Sequence, residues 1–367
     1  MERILEELSD VRKKDIPYSR VLSSMCTQPH PVAIEAHKMF LGTNLGDPGI
    51  FIGTKELEEK LISMLGKILH NENAVGYICS GGTEANIQAM RAARNIKKGK
   101  NVVVPKSAHF SFEKIGDTLG VEIRKAELDR EYKVNVVDVE RLIDDETAAI
   151  TGIAGTTELG QIDPIDELSK LATEYDIPLH VDAAFGGLIL PFIDEKIPFD
   201  FELDGVCSIT IDPHKMGMAT IPAGGVFFRD REFIDVLEIE TPYLTSVSQH
   251  TLTGTRPGTG VASAYAVLRY LGIEGMKKII TECLEKTSIL VDEMSEFGLS
   301  PVIEPIINVV CFECKKAEKI KEELYRRRWV ISVIRNPEAI RFVVMPHIDG
   351  EVIKEFISEF RKVMKNV

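Results

Sequence analysis

The segment with the clearest chemical potential reads SITIDPHKMG and spans 208–217. Its apolar alternation predicts a β-strand that ends near Asp212, and Lys215 follows three residues later. A lysine amine presented at a strand end can form a Schiff base with a carbonyl compound. The residues around Lys215 also fit an exposed turn, because most lysines lie on protein surfaces. The choice depends on which other side chains the fold brings to this strand end.

A second candidate, Asp182, lies in the segment LHVDAAFGGL at 179–188. The apolar residues around it predict a strand that is buried on both faces. A buried carboxylate is costly unless it is paired, so we expect a cationic group to face Asp182. An arginine or the protonated nitrogen of a pyridine ring would serve. Ala184 and the two glycines after Phe185 leave space for a flat ring.

The glycine-rich segment CSGGTEAN at 79–86 is predicted to join a strand to a helix. Gly82 permits a close backbone approach, Thr83 offers a hydroxyl, and the helix start offers free N–H groups, which together suit a phosphate. An ordinary turn in which Thr83 caps the helix is the alternative. The segment matches neither a Walker A loop nor GxGxxG.

Four further residues lie where a ligand could reach them. His109 follows the predicted strand NVVVP and could stack on a planar ligand or move protons. Thr157 follows another predicted strand, in GTTELG, and Tyr243 lies in a loop. Arg341 lies in a C-terminal strand, where its planar fork suits a carboxylate. Each of these residues also has an ordinary structural interpretation.

The elements between about 77 and 229 alternate between strand and helix, which predicts an α/β fold with a mostly parallel sheet covered on both faces. Ligands on such sheets bind at the carboxyl ends of the strands. The phosphate cradle, the stacking histidine, the buried aspartate and the strand-end lysine would meet there. Together they supply the contacts that pyridoxal phosphate (PLP) requires.

We predict three segments: an N-terminal helix and loop segment at 1–52, a PLP-binding large domain at 53–261, and a smaller α+β domain at 262–367. The first helix carries an apolar face that would pack against this chain or a partner subunit. In the last segment we expect helices at 261–272 and 276–297 and a strand at 302–313.

Composition narrows the classes of function. The chain has 367 residues, 44% of them hydrophobic, and a net charge of −13. This charge argues against a general nucleic-acid or anionic-membrane surface. The N-terminus lacks the apolar core of a signal peptide, and no apolar run is long enough to cross a bilayer. With six scattered cysteines, we expect reduced thiols in the cytoplasm and no metal site.

The order of the motifs SGGTEAN, AHFS, GTTELG, HVDAAFGG, DPHK, PYLT and GTR resembles the PLP-dependent group II amino-acid decarboxylases across most of the chain. The specific part is HVDAA followed by HK, with Lys215 33 residues after Asp182. NLGDPG and VVMPH are similar to archaeal L-tyrosine/L-aspartate decarboxylases. The resemblance implies PLP fold type I, the aspartate-aminotransferase type, and a homodimer with shared active sites.

The resemblance also implies roles for matching residues. Lys215 would bind the cofactor covalently, Asp182 would hold the ring nitrogen protonated, and His109 and Ala184 would cover the two ring faces. The other implied cofactor contacts are Gly82, Thr83, Asp212 and His214 around the phosphate, Thr157 at the ring substituents, and Thr255 at the phosphate of the other subunit. Relatives often have Ser or Asn at the position of Asp212, so its role stays open.

For the reaction, the resemblance implies that Tyr243 or His109 returns a proton to Cα, that Arg341 binds the α-carboxylate, and that Asn44 lines the substrate side. The expected reaction is decarboxylation of L-aspartate to β-alanine, a coenzyme A precursor, or of L-tyrosine to tyramine, a methanofuran precursor. Glutamate decarboxylation and a PLP lyase or aminotransferase are the alternatives. Candidates for contacting the substrate side chain are His30, Arg20 and Phe51.

Overall fold

The computed structural model describes residues 1–366. Its helices are α1 (Glu2–Arg12), α2 (Pro31–Met39), α3 (Ile52–Ile68), α4 (Gly82–Lys97), α5 (Ser111–Leu119), α6 (Val136–Leu142), α7 (Ile165–Glu174), α8 (Glu232–Asp235), α9 (Gly258–Ser295), α10 (Ala317–Arg326) and α11 (Gly350–Met364). Its strands are β1 (Val75–Cys79), β2 (Asn101–Pro105), β3 (Glu122–Ala126), β4 (Thr147–Ile153), β5 (Leu179–Asp182), β6 (Val206–Ile211), β7 (Gly224–Phe228), β8 (Ile239–Glu240), β9 (Ser248–Gln249), β10 (Val309–Glu313), β11 (Ser332–Arg335) and β12 (Glu338–Val343).

A seven-stranded sheet forms the centre of the larger part of the chain, in the order β1-β7-β6-β5-β4-β2-β3. The pairs β2–β3, β2–β4, β4–β5 and β5–β6 are parallel, whereas β7 runs antiparallel to both β1 and β6. The prediction of a mostly parallel sheet is therefore confirmed, with one reversed strand. The other six strands end at one edge, and β7 begins there.

The central strands are buried along their whole length, as their apolar runs predict. Every residue of β2, β4 and β5 is buried. Helix α4 packs on this sheet through small residues, with Ala85, Ala89 and Ala93 buried. Because small side chains let a helix lie close to a sheet, the start of α4 is held firmly beside the carboxyl edge.

A second sheet, in the order β10-β12-β11, is antiparallel throughout. Its core is aromatic, and Trp329 packs edge-on to Phe356 with ring centroids 5.3 Å apart. Phe342 lies 5.4 Å from the Phe356 ring and 5.8 Å from the Phe312 ring. These contacts, with residues of α10 and α11 in the same cluster, confirm a small α+β arrangement in the C-terminal part of the chain.

One element prediction in the C-terminal segment needs correction, and another is confirmed. The strand expected at 302–313 begins only at Val309, because Pro305 and its neighbours do not support a regular strand ladder. The two helices expected at 261–272 and 276–297 are confirmed as the two parts of α9, which is interrupted at Gly272. Gly272 has φ of 61°, a left-handed conformation that glycine adopts without strain.

The contacts divide the chain into two compact units. One comprises Met1–Gln28 together with the chain from Glu282 onward, and the other is Pro29–Thr281. The three predicted segments, with boundaries at 52/53 and 261/262, remain a prediction. Within residues 1–366, no helix combines the length and the apolar character needed to cross a membrane.

Candidate active site

Lys215 lies in a tight turn directly after β6. Its backbone N–H donates to the Asp212 carbonyl at 2.9 Å, and Met218 donates back to the Lys215 carbonyl at 3.0 Å. The Lys215 Nζ is 3.2 Å from the Asp212 Oδ2, and the Asp212 side chain is almost fully buried. The turn therefore presents the amine at the carboxyl edge of the sheet beside a buried carboxylate.

His214 is fixed by the first residues leading into β7. Its backbone N–H donates to the Ala223 carbonyl at 3.1 Å, and its Nδ1 accepts from the Ala223 N–H at 3.3 Å. Because Nδ1 accepts, a neutral ring carries its proton on Nε2, which lies 3.7 Å from the Asp212 Oδ2. Burial lowers the pKa of His214.

The start of α4 forms the predicted cradle. A Cβ placed on Gly82 would lie 3.0 Å from the Asp212 Oδ2 and 3.2 Å from the Ala184 Cβ. The N-cap is Gly81 and no side chain caps the helix, so the alternative in which Thr83 caps it is wrong. The first amides of a helix have no intrahelical acceptor, which leaves those of Gly82 and Thr83 available to an anion.

Glu84 shapes this turn, and sequence reasoning missed it. The backbone N–H and the hydroxyl of Ser80 donate to its Oε2 at 3.0 Å and 2.7 Å. The capping-box pattern requires Ser or Thr at the N-cap, and Gly81 stands there, so this local signal does not identify Glu84. The bonds hold the chain entering the cradle.

Asp182, the last residue of β5, is buried and hydrogen-bonded on both oxygens. Its Oδ2 accepts from the Asn86 Nδ2 at 2.8 Å, and its Oδ1 accepts from the Ala184 N–H at 3.1 Å. Among the residues described, no lysine or arginine forms an ion pair with Asp182, so the arginine alternative is not supported. A cationic ligand would complete its surroundings.

His109 belongs to the same group of side chains. Burial lowers the pKa of His109, and the charge of Lys215 lowers it further. The carboxylates of Asp182 and Asp212 raise it. These interactions place its ring near all three charged residues. The Ser111 N–H donates to the His109 Nδ1 at 3.2 Å, which orients the ring at the start of α5.

A second group of predicted residues lies in loops. The Asn44 Oδ1 accepts from the backbone N–H groups of Gly46 and Arg256 at 2.8 Å and 3.2 Å, which places it beside the exposed Thr255. Tyr243 is 86% exposed at the tip of the β8–β9 hairpin.

Two remaining predicted residues have different surroundings. Thr157 is exposed, whereas its neighbour Thr156 is buried. The Thr156 Oγ1 accepts from the Gln161 N–H at 3.0 Å. Arg341, in the smaller compact unit, is buried, and its Nη1 donates to the Ser23 carbonyl at 2.9 Å and to the Ser332 Oγ at 3.2 Å.

A buried ion pair made by Arg256, the arginine of the GTR segment, was also missed. The Arg256 Nη1 lies 2.7 Å from both the Glu58 Oε1 and the Ile78 carbonyl. Its guanidinium also lies 5.0 Å from the Tyr77 ring centroid. The pair connects the loop after β9 to α3 and β1, and partners so distant along the chain leave no local sequence signal.

The residues at the carboxyl edge fit PLP. The cradle at Gly82 has room for a ligand because this residue has no side chain. It lies beside the free amides at the start of α4, which suit a phosphate. Lys215 provides an amine, and Asp182 provides a buried anionic acceptor for a ring nitrogen. The Asp212 Oδ1 is buried and has no hydrogen-bond partner among the described residues, which leaves an acceptor for a donor in this space.

Comparison with known proteins decides the family. Residues 53–315 match the pyridoxal-dependent decarboxylase conserved domain. The chain belongs to the pyridoxal-dependent decarboxylase family. This decarboxylase is 68% identical to a protein of Archaeoglobus fulgidus named "Probable L-aspartate decarboxylase", over 99% of each chain. It is 52% identical to a "Probable L-tyrosine/L-aspartate decarboxylase" of Methanothrix thermoacetophila, over 99% of this chain and 95% of the relative.

Solved structures show the same fold. Glutamate decarboxylase of Lactobacillus brevis superposes with a TM-score of 0.91 at 22% identity, covering 99% of this chain and 92% of that one. The sphingosine-1-phosphate lyase of Burkholderia pseudomallei gives 0.90 at 26% identity, over 99% and 90%. The predicted PLP fold type I is confirmed. The chain is a carboxy-lyase that uses PLP and acts on an amino acid.

Proposed function

We propose that this decarboxylase removes the α-carboxylate of L-aspartate, yielding β-alanine, and that L-tyrosine, yielding tyramine, is a second substrate. The observation that carries the proposal is the meeting of Lys215, the Gly82 cradle and the buried Asp182 at one sheet edge. The names of relatives that match over nearly the whole chain support the choice of substrates.

The residues at the sheet edge divide the work. When bound, PLP supplies an electron sink for the charge left at Cα as CO2 departs. Lys215 would hold the cofactor and later release the product, and Asp182 would keep a proton on the ring nitrogen. The His109 ring and Ala184 would confine the cofactor ring from its two sides, while Gly82, Thr83 and His214 hold its phosphate end.

The substrate would be held by residues outside this cluster. Arg341 would bind the α-carboxylate through its planar guanidinium, and Asn44 would line the substrate side. Tyr243 would return the proton to Cα, with His109 as the second candidate. His30 is placed near the Lys215 turn, because its backbone N–H donates to the Met218 carbonyl at 3.0 Å, which supports it as a contact for the substrate side chain.

The active form would be a cytoplasmic homodimer with shared sites. Tyr243 is 86% exposed, and Thr255 is exposed as well, as expected if a second subunit covers them. The apolar face of α1 is also uncovered, with Ile4, Leu5 and Leu8 more than half exposed. A second copy of the chain would remove these side chains from water.

The proposal is tested by assaying purified protein with PLP for CO2 release from L-aspartate, L-tyrosine and L-glutamate, with the amine products identified. Aspartate should give the highest kcat/KM, and tyrosine should also react. Lys215→Ala should retain the fold, measured by circular dichroism, and lose CO2 release. Release from glutamate alone would contradict the proposed substrates, and a keto acid in place of an amine would contradict decarboxylation.

A further inference from the structure

Asn86 lies between the candidate cofactor site and a buried polar cluster behind it. On one side its Nδ2 donates to the Asp182 Oδ2 at 2.8 Å. On the other side its Oδ1 is 2.7 Å from the Thr210 Oγ1 and 3.1 Å from the His180 Nε2. All four side chains are at least 94% buried, so water does not substitute for these partners.

The polar groups behind Asn86 orient its side-chain amide. Burial lowers the pKa of His180 to about 4, so the ring is neutral near pH 7 and carries one N–H. Its Nδ1 lies 2.8 Å from the Ser208 hydroxyl, which can donate to it, and the N–H is then on Nε2. In that tautomer the Asn86 Oδ1 receives two donors, from His180 and Thr210, and the Thr210 hydroxyl orients the amide in either tautomer.

With the amide oriented this way, the nitrogen must face Asp182 and can only donate. The Asp182 Oδ1 already accepts from the Ala184 N–H at 3.1 Å. Both Asp182 oxygens thus accept from buried donors, which fixes the rotation of the carboxylate. Their remaining lone pairs are left for a cationic ligand.

We propose that Asn86 is a positioning residue that holds the Asp182 carboxylate in the rotation that receives the protonated ring nitrogen of PLP, with Thr210 and His180 setting the orientation of the Asn86 amide. The inference rests on the proposed contact between Asp182 and the cofactor. Asn86 acts through Asp182 and does not itself touch the ring.

The test replaces Asn86 by aspartate, which has nearly the same shape but brings a second carboxylate to within hydrogen-bond distance of Asp182. Two buried carboxylates this close share a proton, so the Asp182 Oδ2 would lose its permanent donor and would receive a ring N–H less well. The other titratable groups that interact with Asp182 are His109 and His180. Titration with PLP, followed by visible absorption, gives the cofactor Kd from pH 5 to 9.

For Asn86→Asp we expect Kd to rise about tenfold or more at pH 7, with an added pH-dependent step that wild type lacks. The matched control is Asn101→Asp. The Asn101 Nδ2 also donates to a carboxylate, the Asp144 Oδ1, at 2.8 Å, and its Oδ1 also accepts from a threonine hydroxyl, that of Thr147. Asn101 begins β2 at the amino edge of the sheet, so Kd and its pH profile should not change.

Thr210→Val gives a second test in case Asn86→Asp does not fold. It removes one of the two donors to the Asn86 Oδ1 and should raise Kd about two- to fivefold. A wild-type Kd and pH profile in Asn86→Asp, or in Thr210→Val if only that variant folds, would overturn the inference. Because both readouts measure cofactor binding, failure of the proposed amino-acid substrates would leave this decision unaffected.

Discussion

Gly82 shows how closely the candidate cofactor site is packed at the level of one residue. The space that its missing side chain leaves is bounded by the Asp212 carboxylate and the Ala184 methyl group. Asp212 has little freedom to move away, because it is buried and lies 3.2 Å from the Lys215 amine. A methyl group at 82 would therefore shift the carboxylate that faces Lys215 as well as narrow the cradle.

Gly82→Ala should weaken PLP binding about 10- to 100-fold. Overpacking costs about 1–3 kcal/mol, and about 1.4 kcal/mol corresponds to a factor of ten in affinity. Absorbance titration with PLP measures the effect. Gly53→Ala in α3 is the control, because a Cβ there meets no atom within 4 Å, and its PLP affinity should equal that of wild type. Equal affinity in Gly82→Ala would show that the phosphate is bound elsewhere.

The residues that sequence analysis identified and those that it missed differ in how their role is encoded. Asp182 ends one predicted strand and Lys215 follows the end of another, so their position at one sheet edge follows from the α/β pattern alone. Asn86 looks like any polar residue of a helix, and only the tertiary structure places it 2.8 Å from Asp182. The Arg256–Glu58 pair joins residues 198 positions apart, a separation that local patterns do not reveal.

Among the elements, the hairpin that carries Tyr243 depends on a contact with another loop. The Thr245 hydroxyl donates to the Asp47 Oδ1, and the Gly49 N–H donates to the Thr245 Oγ1 at 2.9 Å. The Thr245 backbone N–H also reaches the Asp47 Oδ1 at 3.2 Å. One threonine thus joins the NLGDPG loop to the hairpin tip.

Thr245→Val should release the hairpin tip and lower kcat about three- to tenfold, with little change in PLP affinity, because Tyr243 would be positioned less often for proton transfer. Steady-state kinetics and PLP titration separate the two effects. Thr251→Val is the matched control, since the Thr251 hydroxyl donates within its own loop, to the Thr253 carbonyl at 2.9 Å. An unchanged kcat in Thr245→Val would mean that the contact does not position Tyr243.

Strand direction is the element-level property that the sequence left undetermined. The segment GGVFF has the apolar character of any buried strand, and nothing in it indicates that β7 runs opposite to its neighbours. The connection between Ile211 and Gly224 is about a dozen residues long, the lower limit for a parallel crossover, and residues 212–223 contain no helix that could cross the sheet. The turn that contains Lys215 occupies most of the residues between Ile211 and Gly224.

For the whole molecule, the proposed homodimer makes a clear prediction about mixed subunits. Lys215→Ala and Tyr243→Phe should each be nearly inactive as homodimers. If each site takes Lys215 from one subunit and Tyr243 from the other, a mixed dimer of the two variants contains one intact site. Refolding or co-expression of differently tagged chains should therefore restore activity, to about half that of wild type per purified mixed dimer.

A dimer of two Lys215→Ala chains that carry different tags gives the background rate of CO2 release for this assay. Restored CO2 release in the tandem-purified Lys215→Ala/Tyr243→Phe dimer supports shared sites. Activity no higher than this background, in a dimer of the correct mass by light scattering, would place Lys215 and Tyr243 of each site on the same chain.

The reversed direction of β7 has a consequence for changing the substrate range by directed evolution. Because β7 starts at the carboxyl edge, Gly224 lies against the turn before α4, and a Cβ there would overlap the backbone of Gly81. Libraries that enlarge residues at this edge would lose the cofactor before they changed selectivity. Variation is tolerated better at exposed loop positions, so Leu41, Ile50 and Val247, which are 67%, 65% and 87% exposed, are the places to randomise.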